Sequence, residues 1–235
     1  MGFFRGTALS ASVLMLLWTA ACKPSETVAQ QKSPVTPITG IDISNHQGEV
    51  DFDKVKKAGV SYVFIKATQG NTFQDPLFRN DFDGASQAGL AVGAYHFYMT
   101  DDDPRDQFKN YVELVSLGRG HLPPVVDIEA LSKDTRPEFI ADLQIFLDLL
   151  EEEYGAKPII YSGKKFAKKH LEGFSHYPLW LAEYEVEEPS LPTAGWNSWT
   201  FWQWTQSARV DGIDGPVDGD RFNGDHVSFQ GFLLP

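Results

Sequence analysis

The chain has 235 residues, 42% hydrophobic and 13% aromatic, enough apolar material for one domain of barrel size. Its formal net charge is −12, which argues against a nucleic-acid partner, because phosphate binding needs a basic surface. The same charge opposes long-range capture of an acidic polymer, so recognition of one would rest on stacking and hydrogen bonds in a cleft. Six Trp, eight Tyr and seventeen Phe supply rings for a core and for such stacking.

Residues 1–21 read as an export signal. Arg5 gives a short positive start, and Ala8 to Trp18 form an apolar run too short to favour a spanning helix. Thr19, Ala20 and Ala21 lead into Cys22, the only cysteine. This arrangement resembles the lipobox of bacterial lipoproteins, whose cysteine is acylated and holds the mature chain to a lipid bilayer. Trp18 and Thr19 depart from the usual Leu three positions before that cysteine; the alternative is cleavage nearby and a secreted protein in which Cys22 is incidental. Loss of residues 1–21 removes Arg5 alone and leaves a charge of −13. Residues 22–39 carry Pro24, Pro34 and Pro37 among Ser, Thr and Gln with no apolar period, and read as a flexible tether. With a single cysteine no internal disulfide can form.

From Thr39 onward, short β-type runs alternate with amphipathic stretches. The expected strands are Gly40–Ser44, Tyr62–Thr68, Ala91–Tyr98, Pro124–Glu129, Pro158–Ser162, Leu179–Ala182, Thr200–Thr205 and Pro216–Asp218. Expected helices are Phe52–Ala58, Leu77–Ala88, Arg105–Leu117 behind Pro104, Pro137–Tyr154 and Lys164–Leu171, the clearest being the fourth, with Phe139, Ile140, Leu143, Phe146, Leu147 and Leu150 at helical spacing. Eight strands suit a closed barrel, and the loss of helices after Ser162 predicts an irregular second half. The expected fold is therefore α/β, a single-domain, TIM-like β/α barrel over residues 40–235, monomeric and with few late helices.

Polar groups stand at several expected strand ends: Asp42, Lys66 and Gln69, His96, Glu183 and Asp218. In a β/α barrel those ends build the active site. The run Pro124-Val125-Val126-Asp127-Ile128-Glu129 places two carboxylates two residues apart, on one face if the strand continues. Paired acids are costly unless their environments separate their pKa values, the charge state that glycoside hydrolysis requires. The plainer alternative makes Asp127 a cap and Glu129 a solvated surface acid.

Together these segments resemble glycoside hydrolase family 25, the N-acetylmuramidases built on an irregular β/α barrel. The resemblance rests on Gly40-Ile41-Asp42-Ile43-Ser44 with Gln47-Gly48, Phe64-Ile65-Lys66-Ala67-Thr68, Gly93-Ala94-Tyr95-His96-Phe97, Asp127-Ile128-Glu129, Ile160-Tyr161-Ser162, Leu179-Trp180-Leu181-Ala182, Trp202-Gln203-Trp204-Thr205 and Val217-Asp218 through Arg221-Phe222. It implies Glu129 as general acid, Asp127 as stabiliser of the intermediate, and Asp42 and Asp218 as supporting carboxylates. Tyr95, His96, Tyr161, Trp180, Trp202, Gln203 and Trp204 are the expected substrate contacts, with the three tryptophans open to a core role instead. Gln69 stands where many relatives have Glu, and Asp220 where Asn is common. Four acids in one cleft could hold Ca²⁺ or Mg²⁺ on ligand chemistry alone, but the resemblance implies no metal and no other cofactor.

The implied activity is cleavage of the β-1,4 bond between N-acetylmuramic acid and N-acetylglucosamine in peptidoglycan glycan strands, with retention. Either the substrate's acetamido group or a carboxylate serves as nucleophile. The alternatives are a wall-binding lipoprotein without catalysis and a chitin-directed hydrolase.

Overall fold

The computed structural model describes residues 1–3 and 37–235. The chain divides into units 1–34 and 35–235, and every strand and helix described belongs to the second. Residues 4–21 of the export signal, Cys22 and residues 23–36 of the tether lie outside the described residues.

Nine strands and six α-helices follow in chain order: β1 (Thr39–Ile43), α1 (Phe52–Lys57), β2 (Tyr62–Gln69), β3 (Phe73–Gln74), α2 (Phe78–Gln87), β4 (Ala91–Phe97), α3 (Pro104–Leu114), β5 (Val125–Asp127), α4 (Phe139–Tyr154), β6 (Ile159–Gly163), α5 (Lys164–His170), β7 (Leu179–Ala182), β8 (Phe201–Ala208), β9 (Val217–Phe222) and α6 (His226–Phe232). The sheet order is β1-β9-β8-β7-β6-β5-β4-β2-β3, and a further β1–β2 pairing closes eight strands into a barrel. β3 is a two-residue hairpin return on the end of β2. Neighbours are parallel from β1 through β8 by way of β2 and β4, whereas β9 runs antiparallel to both β8 and β1. No helix separates β7 from β8, so the irregular second half expected from the sequence is present.

Strand alternation sorts the core into two layers. Tyr62 and Phe64 of β2, Val125 of β5, Ile159 and Tyr161 of β6, Trp180 of β7, Phe201 of β8 and Phe222 of β9 fill the barrel interior. Their strand neighbours Ile41, Val63, Ile65, Val92, Ala94, Val126, Ile160, Leu179 and Leu181 pack outward against helix residues such as Val55, Tyr111, Phe146 and Leu147. Two glycines make the interior possible. A Cβ on Gly40 would lie 2.1 Å from the Tyr62 ring, and one on Gly93 would lie 2.6 Å from the Phe64 ring.

Local signals explain most element ends. Asp51 caps α1, Asp103 caps α3 with Pro104 in its first turn, and α4 stops at Gly155 with φ 66°. α4 starts at Phe139 rather than Pro137, and Ile140, expected in its apolar stripe, is exposed. β1 begins at Thr39 and Ile38 is buried, so the folded unit starts slightly before residue 40. β3 and α6 have no counterpart among the expected elements. α6 sets Phe229 against Tyr62 and Phe222, ring centroids 5.5 and 5.1 Å apart, and plugs the end of the barrel where β2 begins. That leaves the opposite end open.

Candidate active site

At the open end the inward positions change from rings to ionisable groups. Asp42 ends the inward row of β1, Lys66 that of β2 and Asp127 that of β5, while Asp218 enters from the start of the reversed strand β9. These four line a cavity of about 220 Å³ together with Tyr95, Tyr161, Trp180, Gln203 and Glu129. β5 ends at Asp127, two residues before Glu129. The alternation nevertheless persists: Ile128 is buried in the outer layer and its N–H donates to Tyr161 O at 3.0 Å, so Glu129 turns back to the cavity mouth.

Asp42 and Asp218 lie directly opposite each other across the antiparallel β1–β9 pair, a like-charge pairing that needs compensation. Gln203 on β8 provides part of it. Its Nε2 donates to Asp42 Oδ2 at 2.7 Å and to Asp218 Oδ2 at 3.3 Å, while its Oε1 accepts from Tyr161 at 2.8 Å and also from the Tyr184 hydroxyl. Asp220, the next inward residue of β9, is fully buried. Its Oδ1 accepts from Trp180 Nε1 at 2.8 Å, and its Oδ2 has no partner among the described residues. Burial pushes both Asp42 and Asp220 well above the usual carboxylate range; the Asp218 charge adds to the first and the Asp42 charge to the second. Burial raises Asp218 as well. Carboxyls packed this closely oppose one another's ionisation, so the group holds its protons more tightly than free carboxyls do.

Asp127 is also pushed well above its ordinary value, first by burial and then by the charges of Glu129 and Asp42, against the opposing pull of Lys66. Its Oδ1 is buried without a partner among the described residues. Glu129 is open to solvent at the mouth, but its partly walled position raises its carboxyl and Lys66 restrains the rise. The Lys66 ammonium donates to Gln69 Oε1 at 2.8 Å and lies 5.1 Å from the Phe97 ring centroid and 5.6 Å from that of Phe73. Among the described residues it is the one lysine or arginine lining this cavity. The sequence marks Lys66 only as a polar strand end, not as a catalytic or substrate-contacting group, although the alternation that puts Tyr62 and Phe64 inside puts Lys66 inside too.

A second cleft of about 1070 Å³ begins at Glu129 and is lined by Tyr184, Glu183 and Trp204, by Gln206 and by the cavity-facing side of α5. Gln206 borders both spaces.

Two of the expected substrate contacts are placed elsewhere. His96 is fully buried outside the barrel wall, its Nδ1 2.7 Å from Thr68 Oγ1, its Nε2 3.0 Å from Gln107 Oε1, and its ring against Phe146. Adjacent strand residues face opposite ways, so Tyr95 inside requires His96 outside. Trp202 is likewise outward and buried, donating from Nε1 to Glu183 O at 2.7 Å and lying 6.1 Å from Trp199. Trp204 shares its face, as alternation demands, and the Arg221 guanidinium lies 4.9 Å from the Trp204 ring and 5.3 Å from that of Trp202. Only Trp204 of the two reaches the cleft.

Residues 41–213 match the family described as glycosyl hydrolases family 25. The chain is similar to the autolytic lysozyme of Clostridium acetobutylicum, 34% identical over 78% of this chain and 55% of that protein. Similarity to lysozyme M1 of Streptomyces globisporus is 30% identity over 80% of this chain and 68% of that one. An uncharacterized protein of Escherichia coli, YegX, is 35% identical over 83% and 73%. Among solved structures, the bacterial lysozyme of Streptomyces coelicolor superposes with a TM-score of 0.80 at 27% identity, over 84% of this chain and 97% of that one. A family 25 lysozyme of Aspergillus fumigatus gives 0.75 at 30% identity, over 85% and 100%. With its closed barrel and its acids gathered at the open end, the chain belongs to glycosyl hydrolase family 25.

Proposed function

We propose that the protein is a muramidase that cleaves the β-1,4 bond between N-acetylmuramic acid and N-acetylglucosamine in peptidoglycan, with retention of configuration. The observation that carries the reading is the pair Asp127 and Glu129: a buried carboxyl that lines the cavity wall beside an acid that stands at the mouth of the same cavity. A cavity of about 220 Å³ is smaller than the roughly 300–1,000 Å³ of drug-sized ligand sites and suits one sugar ring.

In this reading the ring to be cleaved enters beside Asp127 and its acetamido N–H donates to the cavity-facing side of the Asp127 carboxylate. That bond and the Lys66 charge favour the carboxylate form in the complex. The acetamido carbonyl oxygen attacks the anomeric carbon, and Asp127 stabilises the positive charge on the resulting ring. Glu129, whose carboxyl burial pushes above its ordinary value, gives its proton to the departing oxygen and then takes one from the water that opens the intermediate. Two displacements on the same carbon give retention. Asp42, Asp218 and Gln203 hold the cavity wall and the tyrosine hydroxyls in register.

The relatives named lysozyme and N,O-diacetylmuramidase support this reading. The test is digestion of purified peptidoglycan followed by identification of the new reducing ends. Reduced muramic acid supports the proposal; reduced glucosamine, faster turnover of chitin than of peptidoglycan, or binding without any new ends would refute it.

We further propose that the site is complete in one chain and that Cys22 carries lipid in the cell. Cys22→Ala should move the protein from the membrane to the soluble fraction while the purified domain stays active. Equal membrane association of the two forms would contradict the anchor.

A further inference from the structure

The net charge of −12 is unevenly distributed. The segment Lys164-Lys165-Phe166-Ala167-Lys168-Lys169-His170, which forms α5, is strongly cationic. Lys164, Lys165 and Lys169 line the 1070 Å³ cleft that starts at Glu129. Lys164 is spent on Glu183, at 2.8 Å. Lys165 and Lys169 are exposed and make no ion pair among the described residues. Beyond Glu129 and Glu183, Glu185 also lines the cleft, on the segment that follows β7, with its backbone in the left-handed region at φ 58°.

Size and chemistry both separate this cleft from the cavity beside Asp127. It is about five times larger, and Glu129 lines it whereas Asp127 does not, so it continues from the proton donor, where the leaving group would lie. In the muramidase reading the unit that departs on that side is N-acetylglucosamine, which bears no peptide, and the muramic acid joined to it is the first there to carry one, within reach of a cleft of this size. Muramic acid carries a short peptide on its lactyl ether, with free carboxylates and, in many walls, an amine. We propose that this cleft binds the peptide substituent of the glycan, its carboxylates on Lys165 and Lys169, so that the enzyme selects peptide-bearing strands over bare glycan. The inference rests on the muramidase reading. Two exposed lysines gain little at long range in an acidic protein, but beside a substrate already held in the cavity they act within the screening length of about 8 Å at physiological salt.

The experiment compares two polymers: peptidoglycan with its peptides intact, and the same glycan after an amidase has removed them, leaving only lactyl carboxylates. Lys165→Glu/Lys169→Glu and the milder Lys165→Ala/Lys169→Ala are measured against wild type, with near-ultraviolet circular dichroism as the folding control. At the modest worth of exposed ion pairs, the alanine pair should lose about three- to thirtyfold in kcat/KM on the peptide-bearing polymer, mainly through KM. The loss should be larger for the glutamate pair, and both should stay within about twofold of wild type on the stripped glycan. Equal losses on the two polymers, or none on either, would overturn the peptide assignment while leaving the muramidase intact. Wild type that cleaves neither polymer would overturn the proposed function and this inference with it.

Discussion

Gln203 Nε2 lies 2.7 Å from Asp42 Oδ2, tying β8 to β1 across the intervening strand β9. The same amide accepts from Tyr161, so one side chain orients an acid and a phenol of the cavity wall together. Gln203→Leu keeps the volume roughly constant but takes from Asp42 and Tyr161 a shared hydrogen-bond partner in a buried setting, which costs about 1–3 kcal/mol for such a group. Denaturant unfolding should show that loss, and turnover of peptidoglycan should fall with it. Unchanged stability would mean that the amide bridge contributes nothing to the barrel.

Asp220 presents the opposite case, a buried acid whose ionisation the fold resists. Its folded pKa is raised, so the native state keeps a proton that the unfolded state releases above the ordinary carboxylate value of 3.8. Stability from this group is full below that pH and is lost as pH rises toward the raised folded value. Asp220→Asn can still accept from Trp180 and donate toward Asp42, without the titration. It should raise Tm at neutral pH by about 2–4 °C for each kcal/mol gained, with the advantage shrinking toward pH 4 and activity retained. A variant less stable at pH 7 than at pH 4, relative to wild type, would contradict the assignment.

His96 titrates in the other sense. Burial lowers its pKa from 6.5 to about 4, with Gln107 and Lys66 as lesser influences of opposite sign. The unfolded chain therefore takes up a proton below about pH 6.5 that the native chain refuses, and stability falls as pH drops from there toward 4. At about 1.4 kcal/mol per unit, the full effect is on the order of 3 kcal/mol. His96→Gln should flatten this acid limb while losing some stability at pH 7 through the hydrogen bonds to Thr68 and Gln107. An acid limb as steep as that of wild type would show that His96 is not its source.

The alternation of inward and outward residues explains both what the sequence disclosed and what it hid. Eight strands and the acids at their ends are readable because Asp42, Asp127 and Asp218 interrupt apolar runs at positions where an ordinary core would place a ring. The same rule, applied residue by residue, separates Tyr95 from His96 and Gln203 from Trp202, and admits Lys66; the family motifs quote such neighbours together and do not say which face each takes. α6 is not legible because its capping box runs from Asp225 to Ser228 rather than to the more familiar Glu or Gln. The cations of α5 are hidden by the overall charge, which averages over surfaces that the substrate does not touch.

The two tryptophans of β8 should part company on truncation. Trp202→Ala removes a buried ring and its bond to Glu183 O, and should cost about 3–5 kcal/mol of stability. Trp204→Ala, at the cleft wall, should leave Tm nearly unchanged and raise KM by about two- to tenfold, the worth of one aromatic contact. Matching effects of the two changes on Tm and KM would contradict their placement.

Asp127 and Glu129 serve different steps of the proposed reaction, and their variants should fail differently. Glu129→Gln cannot donate a proton and should lose about 10²–10⁴-fold on peptidoglycan, whose leaving group is a sugar hydroxyl. Asp127→Asn fails at the stabilisation of the charged intermediate, which every leaving group requires. The direct measurement is kcat/KM of both variants on an aryl β-glycoside of the same amino sugar, whose phenolate departs without help. This substrate should restore much of the lost rate to Glu129→Gln and little to Asp127→Asn; equal rescue of both, or rescue of Asp127→Asn alone, would contradict the division of roles within the pair.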